Sequence, residues 1–228
     1  MRHRRSVLVA FAAVLVAVAF TIGCGSSSSN QSRIRLVNAS PDQSGLDMVI
    51  DDKTVASSVG YGAASSYTSI TAASHTVVVE PTNTSSQIID TTITTSSGSS
   101  VTLICANYSY NATSVLLSDD NTKPDSGNFK LRIVNVSPGM GPEDVYIIAA
   151  GTDINSANPV FSNLGFGSAS SYVQLSAGNY DVVFTPPGSK FINLDSGSLT
   201  LSAGQIRTLL ALNNPVGSYE STMLTDLN

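Results

Sequence analysis

The sequence has no tryptophan, two histidines and two cysteines among 228 residues. His3 lies in the N-terminal segment, so His75 is the single histidine in the rest of the chain. A lone histidine excludes a histidine-based metal cluster and a pair of histidine bases. We expect His75 to be a packed strand residue. Motifs of the types G-x-S-x-G and S-x-x-K, which mark activated serines, are also absent from the sequence.

Charge is scarce and mostly negative. Charged side chains make up 12% of the chain, with 16 acidic residues against 11 basic ones. Removal of an N-terminal segment that carries Arg2, Arg4 and Arg5 leaves 8 basic residues against the same 16 acidic ones. A sparsely charged acidic surface argues against nucleic acid and against anionic lipid as partners.

The N-terminus predicts export. Three arginines precede an unbroken apolar run at 7–20, which is short for a membrane span, and small residues lead to Cys24. The segment resembles a bacterial lipoprotein signal, in which this cysteine is acylated after cleavage. The resemblance implies a signal peptide at 1–23, a lipid on Cys24 that attaches the protein to the membrane, and a serine-rich tether at 24–31. Gly25, in place of an inner-membrane retention Asp, favours the outer membrane if the organism has one.

The remainder of the chain repeats itself. RIRLVNASP at 33–41 returns as KLRIVNVSP at 130–138, and VGYGAASSY at 59–67 returns as LGFGSASSY at 164–172. The eight extra residues of the second copy fall around 151–158. A repeat of about 100 residues is a duplicated domain and not a solenoid unit. Each residue can therefore be compared with its twin in the other copy.

Apolar residues alternate with a period of two. Segments 75–80 and 180–185 alternate, which predicts half-buried strands, whereas 101–106 and 206–212 are nearly all apolar and predict central strands covered on both faces. No segment after the signal shows a helical apolar stripe. About seven or eight short strands per copy, separated by Gly, Pro, Asn and Ser turns, predict an all-β fold.

The predicted architecture is two tandem immunoglobulin-like or related antiparallel β-sandwich modules. We place the first module at 32–118 and the second at 128–228. The polar segment DDNTKPDSG at 119–127 has no apolar pattern and is the predicted linker.

These motifs resemble the bacterial domain of unknown function numbered 4397. The resemblance rests on VNASPDQSGLDMVIDD at 37–52, VGYGAASSY at 59–67 and the closing Leu-Leu-Ser-Asp at 116–119, which occur in this order. It covers both copies. It implies a β-sandwich-like fold on exported or surface-attached proteins, frequently in tandem, and it implies no established activity.

The glycine motifs GYG at 60–62 and GFG at 165–167 imitate the start of a dinucleotide fingerprint. That chemistry needs a helix after the glycines to receive the pyrophosphate, and a strand pattern follows here instead. We predict turns that need left-handed backbone or close approach, and no dinucleotide or other cofactor. Tyr61 and its twin Phe166, and Tyr67 and its twin Tyr172, are expected to be core rings, with a tyrosine hydroxyl bound to backbone.

The first copy contains an acidic patch of Asp42, Asp47, Asp51 and Asp52. A calcium site needs several oxygen ligands that converge on one ion. Carboxylates near turns more often accept hydrogen bonds from backbone amides, so these residues are weak candidates and we predict no metal site.

Arginines and a cysteine recur at strand positions. Arg35 and Arg132 lie in otherwise apolar strands, and a buried guanidinium needs a partner, so we predict that each pairs with a recurring Asp of its own module. With Cys24 acylated, Cys105 has no partner for an intrachain disulfide. Its twin is Ala211, which indicates inert packing.

Tyr108 and Tyr110 lie in a polar turn without counterpart in the second copy. They are the candidate ligand contacts, as stacking platforms for a sugar or a partner protein; the competing interpretation is scattered surface aromatics. We predict a non-enzymatic, lipid-anchored cell-envelope protein that binds or scaffolds an envelope protein or glycan through its loops. The alternatives are a glycan- or polymer-binding lipoprotein and a hydrolase with Asp and Ser at an inter-module site.

Overall fold

The computed structural model describes residues 30–214 and 217–226, over which it has eighteen strands and two single-turn 3-10 helices. The predicted signal peptide, Cys24 and most of the tether lie outside the described residues. Within the described part of the chain, no helix has the length and apolar character to cross a membrane. The all-β prediction is confirmed.

The first module is a sandwich of two four-stranded sheets. Its strands are β1 (Gln31–Ala39), β2 (Gly45–Ile50), β3 (Lys53–Gly60), β4 (Thr68–Thr71), β5 (Ser74–Pro81), β6 (Ile89–Thr94), β7 (Ser100–Ala106) and β8 (Thr113–Ser118). One sheet has the order β4-β1-β7-β8 and the other β3-β2-β5-β6. Between them lies a buried apolar core that includes Ile34, Leu36, Met48, Val77 and Leu103.

The second module repeats this plan with ten strands in place of eight. They are β9 (Asn128–Asn135), β10 (Glu143–Ala149), β11 (Phe161–Leu164), β12 (Ser168–Ala169), β13 (Val173–Ser176), β14 (Gly178–Thr185), β15 (Leu194–Asp195), β16 (Leu199–Leu201), β17 (Ile206–Asn213) and β18 (Tyr219–Thr225). One sheet has the order β12-β9-β17-β18, with β13 also on β9; the other has the order β11-β10-β14-β15, with β16 on β14. Phe129, Leu131, Val145, Phe184 and Leu209 belong to its core.

Strand pairing is antiparallel with two exceptions. β1 pairs with β7 in parallel, Leu36 opposite Leu103, and β9 pairs with β17 in parallel, Ile133 opposite Leu209. Parallel neighbours cannot be joined by a hairpin. In each module the chain passes through the opposite sheet before it returns to the neighbouring position.

A third apolar cluster lies between the modules. It joins the outer face of β4-β1-β7-β8 to the outer face of β12-β9-β17-β18. Its buried members are Val37, Ala39, Ile104, Ala106, Val134, Val136, Leu210, Leu212 and Leu224. In β7 and β17, alternate residues fill the module's own core and this inter-module cluster. The predicted covering of both faces of these strands is confirmed, and the second cover is the other module.

The extra residues of the second copy form a small outer layer. Within 151–158, the 3-10 turn Ile154–Ser156 packs its Ile154 against Tyr146 and Val183 on the outward face of β10 and β14. Lys190 Nζ donates to the Ile154 carbonyl oxygen at 2.8 Å and lies 4.3 Å from the centroid of the Tyr146 ring. The insertion is therefore fastened to its own module.

Candidate functional site

The recurring asparagines hold the turn after the first strand of each module. Asn38 is fully buried; its Nδ2 donates to the carbonyl oxygens of Gln43 and Val59 at 2.9 and 3.0 Å. Its Oδ1 accepts from the backbone N–H of Ser40 at 3.0 Å. Asn135 makes the equivalent bonds in the second module. The shared Asn-X-Ser-Pro motif is structural because it satisfies buried backbone groups.

The glycine motifs are turns. Gly62 and Gly167 have φ of +71° and +74°, and each donates its backbone N–H to the carbonyl oxygen of the buried asparagine at 2.8 Å. A residue with a Cβ is strained in this left-handed region. No helix follows either motif among the described residues.

Arg35 and Arg132 pair across the two modules, so the prediction that each pairs within its own module is wrong. Arg35 Nη2 lies 2.5 Å from Asp226 Oδ1, and Arg132 Nη2 lies 2.7 Å from Asp119 Oδ1. All four side chains are buried. The physical reason is direction: both arginines extend from an outer sheet face, and the partner module covers that face.

Tyrosines complete these ion pairs. Tyr67 Oη donates to Asp119 Oδ2 and Tyr172 Oη to Asp226 Oδ2, each at 2.8 Å. The rings of Tyr67 and Tyr172 stack under the guanidinium carbons of the arginines, 4.6 and 4.7 Å from the ring centroids. Burial raises the pKa of both hydroxyls well above their usual value. The hydroxyls of Tyr67 and Tyr172 are thus bound to carboxylates; the hydroxyl of this set that binds backbone is that of Tyr61, which donates to the Asn213 carbonyl oxygen.

A cleft between the two modules has no activated nucleophile among its described lining residues. It has a volume of about 530 Å³, and Arg35, Ser65, Tyr67 and Asp226 are among its lining residues. The Asp226 carboxylate is occupied by its arginine, tyrosine and threonine partners. Ser65 Oγ accepts from a backbone N–H at 3.0 Å and donates to a carbonyl oxygen at 3.0 Å. Nothing in this cleft supports the hydrolase alternative, since nucleophilic catalysis needs a base beside the serine.

The four acidic candidates do not converge. Asp47 Oδ1 accepts from the Ser58 N–H and from Thr82 Oγ1, both at 2.7 Å. Asp51 and Asp52 are the central residues of the β2–β3 hairpin turn, with φ of +46° and +64°, the left-handed geometry of a type I′ turn. Among the described residues, no group of three or more His, Cys, Asp or Glu side chains could hold a metal ion.

The fourth candidate, Asp42, holds the loop that carries the two candidate tyrosines. We call residues 107–111, between β7 and β8, the tyrosine turn. Asp42 accepts from the Ser109 N–H at 2.9 and 3.1 Å and from Ser109 Oγ at 2.6 Å. Ser40 Oγ donates to the same carboxylate at 2.9 Å. Burial tends to raise the pKa of Asp42, but these hydrogen bonds outweigh it and lower the pKa below its usual value.

The tyrosine turn presents a stacked pair of rings. The Tyr108 and Tyr110 ring centroids lie 5.8 Å apart with an interplanar angle of 15°. Tyr110 is 84% exposed. Asn107, with φ of +70°, accepts from the Tyr108 N–H through its own Oδ1 at 2.9 Å and so fixes the entry to the turn. The turn is therefore ordered before any ligand arrives.

Loops of the second module flank this turn. Tyr61 Oη donates to the Asn213 carbonyl oxygen across the seam. Burial, followed by the charges of Glu220 and Tyr108, raises the pKa of Tyr61. Glu220 accepts from Asn214 Nδ2 at 2.9 Å. Tyr61 thus contacts the second module and is influenced by Tyr108 of the tyrosine turn and by Glu220 of the second module.

His75 is packed as predicted, and both of its ring nitrogens face acceptors. It is 8% exposed; Nδ1 lies 2.6 Å from Asp51 Oδ2 and Nε2 2.7 Å from the Thr71 carbonyl oxygen. Both partners only accept, so both ring nitrogens donate. The bonds to Asp51 and then to Thr71 raise the pKa of His75. Its twin Tyr180 donates to the Ser176 carbonyl oxygen at 2.9 Å, so both residues bind a carbonyl four residues upstream.

We expect the protein to lose stability as the pH rises through the pKa of His75. That pKa is raised above the unfolded value of 6.5, so the contribution is complete below that value and disappears as the folded ring deprotonates. The hydrogen bond from His75 lowers the pKa of Asp51. Asp51 therefore loses its interaction with His75 only in acid. Lys53 lines the same cleft. Thermal melts from about pH 6 to 9 measure the effect.

His75→Tyr is the matched control because it installs the twin residue. It retains a donor for the Thr71 carbonyl oxygen and removes the titrating ring. A wild-type melting temperature that does not fall over this range, or one that falls equally in His75→Tyr, contradicts the assignment.

Cys105 is fully buried in the first core, like its twin Ala211 in the second. Burial, with a smaller contribution from the charge of Asp42, raises the pKa of its thiol to about 12. A thiol that stays protonated and inaccessible is not a nucleophile. The predicted packing of Cys105 in the core is confirmed.

The fold and these motifs define an all-β protein of two sandwich modules whose shared residues are structural. The chain belongs to the family described as "Domain of unknown function (DUF4397)", whose profile matches residues 32–146 and 142–228. The resemblance read from the sequence, with two copies of the domain, is confirmed. The boundaries at 32–118, 119–127 and 128–228 stay a prediction, and the two family matches overlap at 142–146.

Solved structures give distant similarities. The module CBMbc of family CBM26 from Eubacterium rectale Amy13K, in complex with maltoheptaose, matches with 11% identity and a TM-score of 0.28 over 87% of this chain and 98% of that chain. Family 41 carbohydrate-binding modules from streptococcal virulence factors, described in terms of alpha-glucan recognition, match with 10% identity and a TM-score of 0.30 over 84% and 96%. The Bacillus anthracis TIE protein matches with 10% identity and a TM-score of 0.27 over 84% and 34%. These values assign no ligand to this chain. No curated protein matches it.

Proposed function

We propose that this protein is a non-catalytic binding protein of the cell envelope and that its tyrosine turn binds a neutral polysaccharide. The observation that carries the proposal is the stacked pair of Tyr108 and Tyr110, the second of them exposed and the first partly buried, on a loop fixed by Asp42. A tyrosine ring offers an apolar face to the C–H face of a sugar and a hydroxyl to its polar edge. Two adjacent rings suit a chain of sugars better than a single one.

Rigidity supports the same conclusion. The clamp on Ser109 orders the loop in advance, so less conformational entropy is lost when a ligand binds. Tyrosine itself provides a large contact area with little side-chain entropy. Asp42 and the tyrosine turn occur in the first module only. In the second module, the twin of Asp42 is Gly139 and the corresponding loop has no tyrosine. They are therefore not part of the shared structural motif.

Charge favours a neutral ligand. Asp42 binds the loop that carries the rings, and the chain without residues 1–23 carries twice as many acidic as basic residues. A negatively charged polysaccharide would be repelled. The ring faces and the neighbouring acceptors suit hydroxyl donors.

We further propose that a lipid on Cys24 attaches this binding unit to the bacterial membrane, the outer one if the organism has two. The lipoprotein-like signal at 1–23 and the serine-rich tether support this location. Mass spectrometry of the protein from a membrane fraction tests it. An unmodified residue 24 would contradict the anchor without affecting the binding proposal.

A glycan array probed with the chain lacking residues 1–25 tests the binding proposal. We expect binding to neutral glycans and a loss of roughly thirtyfold in affinity for Tyr108→Ala/Tyr110→Ala, since each ring contributes about 1 kcal/mol. Asp42→Gly, which copies the twin, leaves both rings in place but frees the loop, so a smaller loss is expected.

Phe191→Ala is the matched control, because Phe191 is an exposed aromatic residue of the second module, 70% accessible and outside the tyrosine turn. It should bind like the wild type. Glycan binding that survives the double substitution, or a wild-type chain that binds no neutral glycan, would rule the proposal out.

A further inference from the structure

The contacts between the modules are reciprocal. Arg35 of the first module binds Asp226 and the Thr225 carbonyl oxygen of the second, the latter through Nη1 at 2.8 Å. Arg132 of the second module makes the same two contacts with the end of β8, through Nη2 to Asp119 and through Nη1 to the Ser118 carbonyl oxygen at 3.0 Å. An interface in which each contact has its mirror is isologous, the type that relates two copies by a twofold axis.

The supporting hydrogen bonds are duplicated too. Thr102 Oγ1 accepts from Arg35 Nε at 2.8 Å and donates to Asp119 Oδ2 at 2.7 Å. Thr208 has the same position between Arg132 and Asp226, at 3.2 and 2.9 Å. Each module therefore carries one complete set of arginine, threonine, tyrosine and aspartate.

The apolar part of the interface is built from twins in the same way. Twin positions that both lie in the inter-module cluster are Val37 and Val134, Ala39 and Val136, Ile104 and Leu210, Ala106 and Leu212, Leu117 and Leu224, and Tyr61 and Phe166. These twin positions are apolar or aromatic on both faces. Two features of the first face have no equivalent on the second: the Tyr61 hydroxyl, which donates to Asn213, and Val115, whose twin is Thr222.

We infer that the face of β4-β1-β7-β8, like its twin β12-β9-β17-β18, is a self-complementary docking surface whose partner can be the same face of a second copy of this chain. Pairing of two first modules would place Arg35 of each opposite Asp119 of the other, with Tyr67 and Thr102 already in position. The residues that recur in both modules therefore encode an interaction between modules as well as a fold.

Side-chain size explains why pairing within the chain prevails. Ala39 and Ala106 on the first face are smaller than their twins Val136 and Leu212, so a small face meets a large one. Two first faces would leave gaps, and unfilled volume weakens an interface. The linker also holds the two modules of one chain at a high local concentration. The like-with-like pairing becomes visible when the internal partner is disabled.

Leu210→Arg in the chain lacking residues 1–25 tests the inference. Leu210 is fully buried in the inter-module cluster, and a charge there without a partner disrupts the contact. The substitution leaves the second core intact because β17 points its alternate residues inward. We expect the freed first face to pair with that of another chain and the molar mass in light scattering to double.

Ile104→Arg is the matched variant on the other face and is also expected to give a dimer. The chain with both substitutions has no intact face and is expected to be a monomer. Circular dichroism confirms that each variant retains its strands. A Leu210→Arg chain that is folded and stays monomeric at the highest concentration reached in light scattering would overturn the inference.

A second measurement avoids the risk that a variant fails to fold. A protease site placed in the linker at 122–126 of the wild-type chain allows the modules to be separated by cleavage alone. Two cleaved preparations with different tags on the first module are mixed, partly denatured and returned to native buffer. The first modules are returned to native buffer in excess over the second modules, so that some of them lack the second module as a partner. Joint capture of both tags then supports pairing of like faces; its absence overturns the inference.

Discussion

Asp226→Ala is expected to lower the free energy of unfolding by about 3–5 kcal/mol, the loss typical when one partner of a buried ion pair is removed. The Asp226 carboxylate accepts from Arg35 Nη2 at 2.5 Å, from Tyr172 Oη at 2.8 Å and from Thr208 Oγ1 at 2.9 Å. Its removal leaves a buried guanidinium without a counter-charge. Urea denaturation followed by circular dichroism measures the change.

Asp119→Ala is the equivalent substitution in the other module, and Asp120→Ala is the control. Asp119→Ala should cost a similar amount because Asp119 serves Arg132 in the same way. Asp120→Ala, one residue away, removes a solvent-exposed pair with Lys130 and should change stability by less than about 1 kcal/mol. If Asp226→Ala were as mild as Asp120→Ala, the inter-module network would not stabilise the protein.

Glu143→Leu is expected to act in the opposite direction and to raise the free energy of unfolding by about 1–3 kcal/mol at neutral pH. Glu143 is 1% exposed on the inward face of β10, where its twin is the fully buried Leu46. Oε1 accepts from Asn193 Nδ2 at 2.8 Å, but Oε2 has no hydrogen-bond partner among the described residues. Burial raises the pKa of Glu143. The hydrogen bond from Asn193 lowers this pKa, and the negative charge of Asp144 raises it further, so that the net shift is upward.

The pH dependence separates the charge of Glu143 from its shape. Because its pKa is raised above the usual 4.5, the folded protein holds this proton more tightly, and stability falls as the pH rises from that value through the folded-state pKa. The Glu143→Leu variant should lack this fall. Leu46→Glu is the reverse control and should destabilise the first module. A Glu143→Leu chain less stable than the wild type at neutral pH would mean that the buried carboxylate has a partner it needs.

Much of the fold could be predicted because strand periodicity and turn chemistry are local. The apolar stretches at 101–106 and 206–212 indicated strands covered on both faces, and the glycines at 62 and 167 indicated left-handed turns. Comparison of twins also excluded a special role for Cys105, since Ala211 serves the same packing. Each of these inferences depends on a residue and its immediate neighbours in the chain.

The partners of Arg35 and Arg132 could not be obtained in this way. Twin comparison found the right residues, two arginines and two recurring aspartates, but assigned each pair to one module. Asp119 follows Leu-Ser and Asp226 follows Leu-Thr, so the sequence around them does not tell which arginine each one pairs with. The pairing depends on which surface covers the outer sheet face. The pairing of Asp42 with Ser109 was missed for the same reason, because 67 residues separate them.

The candidate site shows the same division. Tyr108 and Tyr110 stood out as tyrosines in a polar turn without a twin, and Asp42 stood out as an acidic residue without a twin. The sequence offered one as a ligand contact and the other as a weak metal ligand. The structure joins them in a single unit, since the carboxylate fixes the loop that presents the rings.

The sequence alone therefore determined the duplicated all-β modules, the family and the residues unique to each copy, because alternation, turn residues and internal repetition are written along the chain. The tertiary structure decided that the modules share a reciprocal buried face, that each arginine is neutralised by the other module, and that a lone aspartate orders the tyrosine turn. These depend on which surfaces meet in space, and desolvation of a charge or a ring makes that meeting energetically decisive.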